Sequence, residues 1–202
     1  MLIVFEGGEG SGKGTQIKLL ENYLKSKNKD VLCIIEPGGT NVGQAIRDIL
    51  LNRHDFELDG LTESLLFSAS RSYQINNVTK PALKSGKIVL SDRSFYSTYA
   101  YQGYGRNNDL PLLEKLTKIA TNNLVPDLVI YLDIDPEVGI SRKVQQKEIN
   151  RLDKESLIFH KRVQKGYLEL AEKYDFKVID ATASIQQIHN EIISILEGLK
   201  VV

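Results

Sequence analysis

The stretch Gly7-Gly8-Glu9-Gly10-Ser11-Gly12-Lys13-Gly14-Thr15 gathers glycines around one lysine, and Gly7, Gly12 and Lys13 stand at the G-x-x-x-x-G-K spacing of a phosphate-binding loop. Glycines let the backbone curl so that successive N–H groups face an anion, and a following helix adds its positive amino-terminal end. Lys13 then reaches the outer phosphates of a nucleoside triphosphate such as ATP. The strict motif places Ser or Thr directly after the lysine to hold Mg2+; here Gly14 stands there and Thr15 follows. Metal is therefore expected at Thr15 and Asp92, through water. The plain alternative is a glycine-rich turn with an exposed lysine.

Such a loop says only that a nucleotide phosphate is held, so other residues must select the reaction. Asp92-Arg93-Ser94-Phe95-Tyr96-Ser97-Thr98-Tyr99-Ala100-Tyr101-Gln102 begins with an acid suited to Mg2+ and its water and an arginine suited to a phosphate. Phe67 and Arg71, four residues apart, share one helix face. A guanine-reading Asn-Lys-x-Asp motif is missing, because Asn28-Lys29-Asp30-Val31 lacks the final aspartate and precedes a strand. Plain readings remain open. Phe67 packs in a core beside Leu65 and Leu66, Arg47 and Arg71 lie on solvated helix faces, Asp92 and Arg93 form a structural ion pair, Tyr101 is core and Glu9 is a surface acid.

These residues need elements to position them. Leu2 to Glu6, Val31 to Glu36, Lys87 to Asp92 and Leu128 to Asp133 are apolar runs of the kind that form buried parallel strands, and Phe176 to Asp180 is a weaker fifth. Helical spacing lies between them, as in Ile17, Leu20 and Leu24, and in Ile185, Ile188, Ile192, Leu196 and Leu199. Alternation of this kind predicts an α/β fold, a three-layer parallel β-sheet flanked by helices. Glu6, Glu36, Asp92 and Asp133 close four of the runs and are expected at the carboxyl edge, where ligands bind in such sheets. The polar stretch 143–155 reads as a short, mobile lid on a single domain spanning 1–202.

With 202 residues, 42% of them hydrophobic and 26% charged, the chain can bury one sizeable core. Lys plus Arg and Asp plus Glu both number 26, so no overall field directs it to nucleic acid or to a membrane surface. The one cysteine, Cys33, sits in an apolar run and cannot form an internal disulfide, which suits a reducing, cytoplasmic setting. No run reaches the length of a membrane span. His54, His160 and His189 are scattered and read as surface or helix residues.

Several separated motifs resemble those of the thymidylate kinases, a family of P-loop NTPases of the nucleoside monophosphate kinase type. They are Glu36-Pro37-Gly38-Gly39-Thr40 with Gly43 and Arg47; Phe67-Ser68-Ala69-Ser70-Arg71 with Gln74; Asp92-Arg93 with Ser97 and Ala100-Tyr101-Gln102; Asp135-Pro136-Glu137-Val138-Gly139 with Arg142; and Arg151-Leu152-Asp153. The variant Gly-Lys-Gly-Thr-Gln at the loop is similar to adenylate kinases. The resemblance implies transfer of the γ-phosphoryl of ATP to dTMP by a homodimer. It implies that Phe67 stacks on thymine, Arg71 meets the thymine O4, Arg47 and Arg93 hold the acceptor phosphate, and Glu9 binds the 3′-hydroxyl. Thr98 and Gln102 would line the base pocket, Tyr101 would crowd the place of a 2′-hydroxyl, and Glu36 and Ser97 would complete the acceptor set.

A nucleotide 5′-phosphate is already largely ionised at neutral pH, its second pKa lying near ~6, so no general base is required. Catalysis then rests on positioning and charge neutralisation by Lys13, Arg93, Mg2+ and a further cation. Members of the family carry that cation in the P-loop or in the lid; Gly10 closes the first option. Arg142 and Arg151 are the expected lid groups, with Lys143 and Lys147 beside them. Another nucleoside monophosphate or deoxynucleoside kinase, and a non-catalytic ATP-binding module, are the alternatives.

Overall fold

The computed structural model describes residues 1–52, 55–146 and 150–201; His54 and Lys147 lie outside the described residues. The five apolar runs form β1 (Leu2–Gly7), β2 (Val31–Ile35), β3 (Ile88–Asp92), β4 (Leu128–Asp133) and β5 (Lys177–Asp180). All pair in parallel in the order β2-β3-β1-β4-β5. Alternation along β1 explains the layering, since successive side chains point to opposite faces. Leu2 and Val4 enter one core and Ile3 and Phe5 the other, so both faces of the sheet are covered.

On the Ile3 and Phe5 face lie α1 (Lys13–Ser26) and α9 (Ile185–Gly198), through Ile17, Leu20, Leu24, Ile188, Ile192 and Leu196. Ile185 and Leu199, expected in the same stripe, are 59% and 49% exposed, because they stand at the two ends of α9 and overhang the sheet. A capping box between Ser184 and Gln187 starts α9 and satisfies its first free N–H groups. Cys33 is half-buried against this core, and burial raises its thiol to about 11.

The opposite face carries α2 (Asn41–Arg47), α3 (Gly60–Gln74), α4 (Lys80–Lys84), α5 (Phe95–Thr98), α6 (Leu110–Thr121) and α8 (Leu157–Tyr174), with α7 (Pro136–Gln146) at the carboxyl edge. Wider π-helical turns continue α2 over Asp48–Asn52, α3 over Ile75–Thr79 and α5 over Tyr99–Gly105. Of the stretch 143–155, the residues through Gln146 belong to α7, and Leu152–Lys154 forms a 3-10 turn. Residues 147–149 lie outside the described residues.

The carboxyl edge holds the four strand-closing acids, with unequal fates. Glu36 and Asp92 border a cleft. Glu6 is fully buried beneath it, accepting hydrogen bonds from Ser94, Ser97 and Tyr167. Asp133 is taken by Tyr131 and Gln164 and does not reach the cleft.

Candidate active site

β1 is central in the sheet, so the loop after it sits where residues following β2 and β3 converge. Gly10 and Gly12 hold φ of 66° and 86°, in the left-handed region that glycine adopts without strain. Lys13 folds back over the loop, its Nζ donating to the carbonyls of Gly7 and Gly8, each at 3.1 Å, and to Ser11 Oγ at 3.3 Å. Burial, reinforced by the nearby Arg93 guanidinium, draws the Lys13 ammonium down to about 8. A Cβ on Gly10 would collide with the Gly139 carbonyl, and one on Gly139 with the Glu9 carbonyl. The first turn of α7 is thus fitted against the loop backbone, which explains physically why no side chain stands at position 10.

Facing this loop across a cleft of about 390 Å3 are Arg47, Phe67, Arg71, Arg93, Thr98 and Gln102. Phe67 is half-buried, packing with Leu66 against the core on this side of the sheet while bordering the cleft, whereas Leu65 is 49% exposed. Arg71 is buried; its Nε donates to Glu36 Oε2 at 2.7 Å and its Nη2 to Thr98 Oγ1 at 3.1 Å. Its buried Nη1 has no partner among the described residues and is free to donate. Arg47 donates to the Pro37 carbonyl at 2.7 Å. Burial lowers its pKa, opposed by the charge of Asp92. Gln102 is held from behind by Glu63, its Nε2 lying 3.0 Å from Oε2.

Arg93 joins the two halves. Its backbone is left-handed, at φ 74°, a conformation uncommon for any residue but glycine, and it directs the guanidinium back toward the loop. Nη1 donates to Gly7 O at 3.0 Å, and to Ser97 Oγ and Tyr167 Oη at 3.2 Å each. Nη2 donates to Glu9 Oε1 at 3.1 Å and to Tyr101 Oη at 3.3 Å. Tyr101 in turn donates to Glu9 Oε1 at 2.8 Å. Glu9 Oε2 pairs with Lys143 Nζ at 3.2 Å. Burial would raise the Glu9 carboxyl, but Arg93, Lys13 and Lys143 outweigh it and hold the group well below the ordinary range.

The lid arginines are placed differently from the expectation. Arg151 donates from Nε to the Leu50 carbonyl at 2.8 Å and from Nη2 to Glu63 Oε1 at 2.7 Å, and it does not border the cleft. Arg142 donates to the carbonyls of Ala181 at 3.1 Å and Gly10 at 3.4 Å, on the outer side of the loop. Lys143 borders the cleft instead, with a second bond to Asp153 Oδ2 at 2.9 Å. Asp92 and Thr15 both border the same cleft.

Glu63 and Tyr167, which no sequence motif marks, and the strand-closing Glu6 support the site from behind. His160, read as a surface or helix residue, is on α8 but only 5% exposed, bordering a small space with Gly8 and Glu9. The stripe Phe159, Val163 and Tyr167 was the available signal that this part of α8 faces inward.

A family model described as thymidylate kinase matches residues 5–192. A thymidylate kinase of Chlorobium luteolum is 47% identical, over 97% of this chain and 96% of its own. One of Thermosipho africanus is 46% identical over 98% of each. A crystal structure of thymidylate kinase from Ehrlichia chaffeensis superposes with a TM-score of 0.78 at 33% identity, covering 97% of this chain and 98% of that one.

Proposed function

The chain belongs to the thymidylate kinase family, and from that premise we propose how it carries out its reaction, transfer of the γ-phosphoryl group of ATP to dTMP, giving dTDP and ADP. The observation that carries the reading is one cleft bordered by Lys13 on one side and by Phe67, Arg71 and Arg93 on the other. Amides of Gly7, Gly8, Gly10, Ser11, Gly12, Gly14 and Thr15 cradle the triphosphate, and Lys13 neutralises its outer oxygens. Phe67 stacks on thymine, and the Arg71 guanidinium, which borders the cleft, meets the O4 carbonyl, an acceptor that the amino group of cytosine cannot imitate. Glu36 and Thr98 fix the Arg71 guanidinium, and Gln102 closes the pocket with Tyr101.

Arg47 and Arg93 hold the acceptor phosphate, with Ser97 behind Arg93 and Glu9 beside the sugar. Electrostatic attraction of these cations overcomes the repulsion between two phosphate-bearing substrates. A dTMP phosphate oxygen then bonds to the γ-phosphorus as the bond to the β–γ bridging oxygen breaks, leaving ADP. The ionised phosphate is itself the nucleophile, so none of the histidines is needed as a base. Asp92 and Thr15 are hard oxygen donors, and among the described residues no group of three His, Cys, Asp or Glu side chains forms a metal cage. That donor set fits Mg2+, which keeps several of its waters; bound with ATP, it would offset charge on the β and γ phosphates.

We take the chain to be one kinase domain with its lid at 143–155, working as a cytoplasmic homodimer without nucleic-acid or membrane partners. Leu61 and Leu65, exposed on one face of α3, are apolar surface suited to such pairing, and light scattering of the purified chain tests it. No helix among the described residues is long and apolar enough to cross a membrane. The reaction itself is tested by coupled ADP release with Mg2+, ATP and a panel of nucleoside monophosphates. Turnover with dTMP well above that with AMP or dCMP is expected; turnover no faster with dTMP than without any acceptor overturns the reading.

A further inference from the structure

Four cations from Arg142 to Lys154 are described; Lys154 does not border the cleft, and the structure commits two of the others elsewhere. Arg151 spends its Nε and Nη2 on the Leu50 carbonyl and on Glu63, away from the cleft. Arg142 braces backbone carbonyls of the loop and of Ala181. Lys143 is the lid cation among the described residues that borders the cleft, together with Lys13 and Arg93. Its place follows from the helix beneath it. Gly139 packs without clearance against the Glu9 carbonyl, which fixes α7 to the phosphate loop. Lys143, four residues or about one turn further along α7, therefore stands over that loop.

The geometry points to Lys143 as the lid group that touches the phosphoryl group during its transfer, a role that rests on the dTMP kinase reading above. Its present partners are two carboxylates, Glu9 Oε2 at 3.2 Å and Asp153 Oδ2 at 2.9 Å, and its side chain keeps 19% exposure. A lysine is a compact charge on a flexible stem, so it can leave one oxygen anion for another by rotating about side-chain bonds. Glu9 loses little when it does, because Arg93 and Tyr101 remain on its other oxygen. The substrate phosphates thus replace the Glu9 carboxylate as the counter-ion of Lys143. As the acceptor oxygen bonds to the γ-phosphorus and the β–γ bridging oxygen departs with ADP, Lys143 meets the equatorial oxygens from the side opposite Arg93.

Steady-state kinetics of the full chain with Lys143→Met and Lys143→Arg, alongside dTMP binding by calorimetry and thermal melts, decide the matter. Lys143→Met lowers kcat about 100-fold, the scale for losing one donor to transition-state charge, while KM and Kd for dTMP stay within about threefold. Lys143→Arg restores most of the loss, because it returns the charge. A Lys143→Met enzyme with kcat within about threefold of wild type overturns the inference. So does a loss confined to KM, or an Arg variant as slow and as thermally weakened as the Met variant, which would make Lys143 a brace. A wild-type chain without dTMP-dependent turnover overturns the kinase reading itself, whereas an active wild type with an unimpaired Lys143→Met overturns this assignment alone.

Discussion

Glu9 and Glu63 each collect two cations and one neutral donor, and the likeness ends there. Glu9 holds Arg93, Lys143 and Tyr101 at the border of the cleft. Glu63, with no exposed side-chain surface, holds Arg106, Arg151 and Gln102 behind it. Around Glu63 the guanidinium groups are also consumed by Glu155 and by the Leu50 carbonyl. Those bonds join the segment from Arg151 to Glu155, α3 and the turn after α2 into one scaffold. Around Glu9 the cations face open space, so an incoming phosphate can compete for them. The chemistry of an arginine in this molecule is set by the carboxylate behind it and by whether that carboxylate borders the cleft.

The contrast is broken most severely at Arg93. On the proposed reading Arg93→Met removes a contact to the acceptor phosphate, and kcat/KM for dTMP in a coupled assay should fall about 1000-fold. Gly139→Ala sharpens the same side of the comparison without touching a charge. The added methyl pushes α7 off the Glu9 carbonyl, and a displacement of about 1 Å in this setting costs roughly 100-fold in turnover.

Glu63→Ala tests the other cluster. Both arginines keep some exposure, so the loss sits near the lower end for breaking a buried pair, roughly 3 kcal/mol. For a chain of this size the melting temperature should drop by about 10 °C, with a smaller effect on kcat than either change on the Glu9 side. An unchanged melting point would remove the scaffold role.

The smallest effect is in pH. The folded chain holds the Glu9 carboxyl below its ordinary 4.5, so the unfolded chain takes up that proton more readily. The resulting stability is present above pH 4.5 and is lost as pH falls below it. Burial holds Glu6 in the opposite direction, so total stability mixes the two, and the difference between wild type and Glu9→Gln isolates Glu9. That difference in urea denaturation should shrink between pH 6 and pH 3; a constant difference contradicts the depressed carboxyl.

The same comparison accounts for what the amino-acid order disclosed. Parallel strands buried on both faces are continuous apolar runs, so β1, β3 and β4 are legible nearly to the residue; the edge strands β2 and β5 have one buried residue each, and β2 remains legible because all five of its residues are apolar. Clusters written within one turn of chain are legible too, since the phosphate loop and the Phe67–Arg71 pair both border the cleft. The Glu63 cluster is not, because its partners lie 43 and 88 positions away and meet only through the docking of separate helices. Arg151 and Arg93 look equivalent as letters; a tertiary contact separates them. His160 lies on a helix, as its surroundings in the sequence suggest, but its burial by the docking of α8 onto the loop is a tertiary effect of the same kind.

The central claim is that two nucleotides meet end to end over the Glu9 cluster. Titration calorimetry with a pentaphosphate joining adenosine to thymidine measures that directly, one ligand filling both halves of the cleft. We predict one molecule bound per chain, more tightly than ATP or dTMP alone, weakened at least about 100-fold by Arg93→Met and less than about threefold by Arg151→Met. Binding no tighter than that of the separate nucleotides, or equal losses in the two variants, would contradict it.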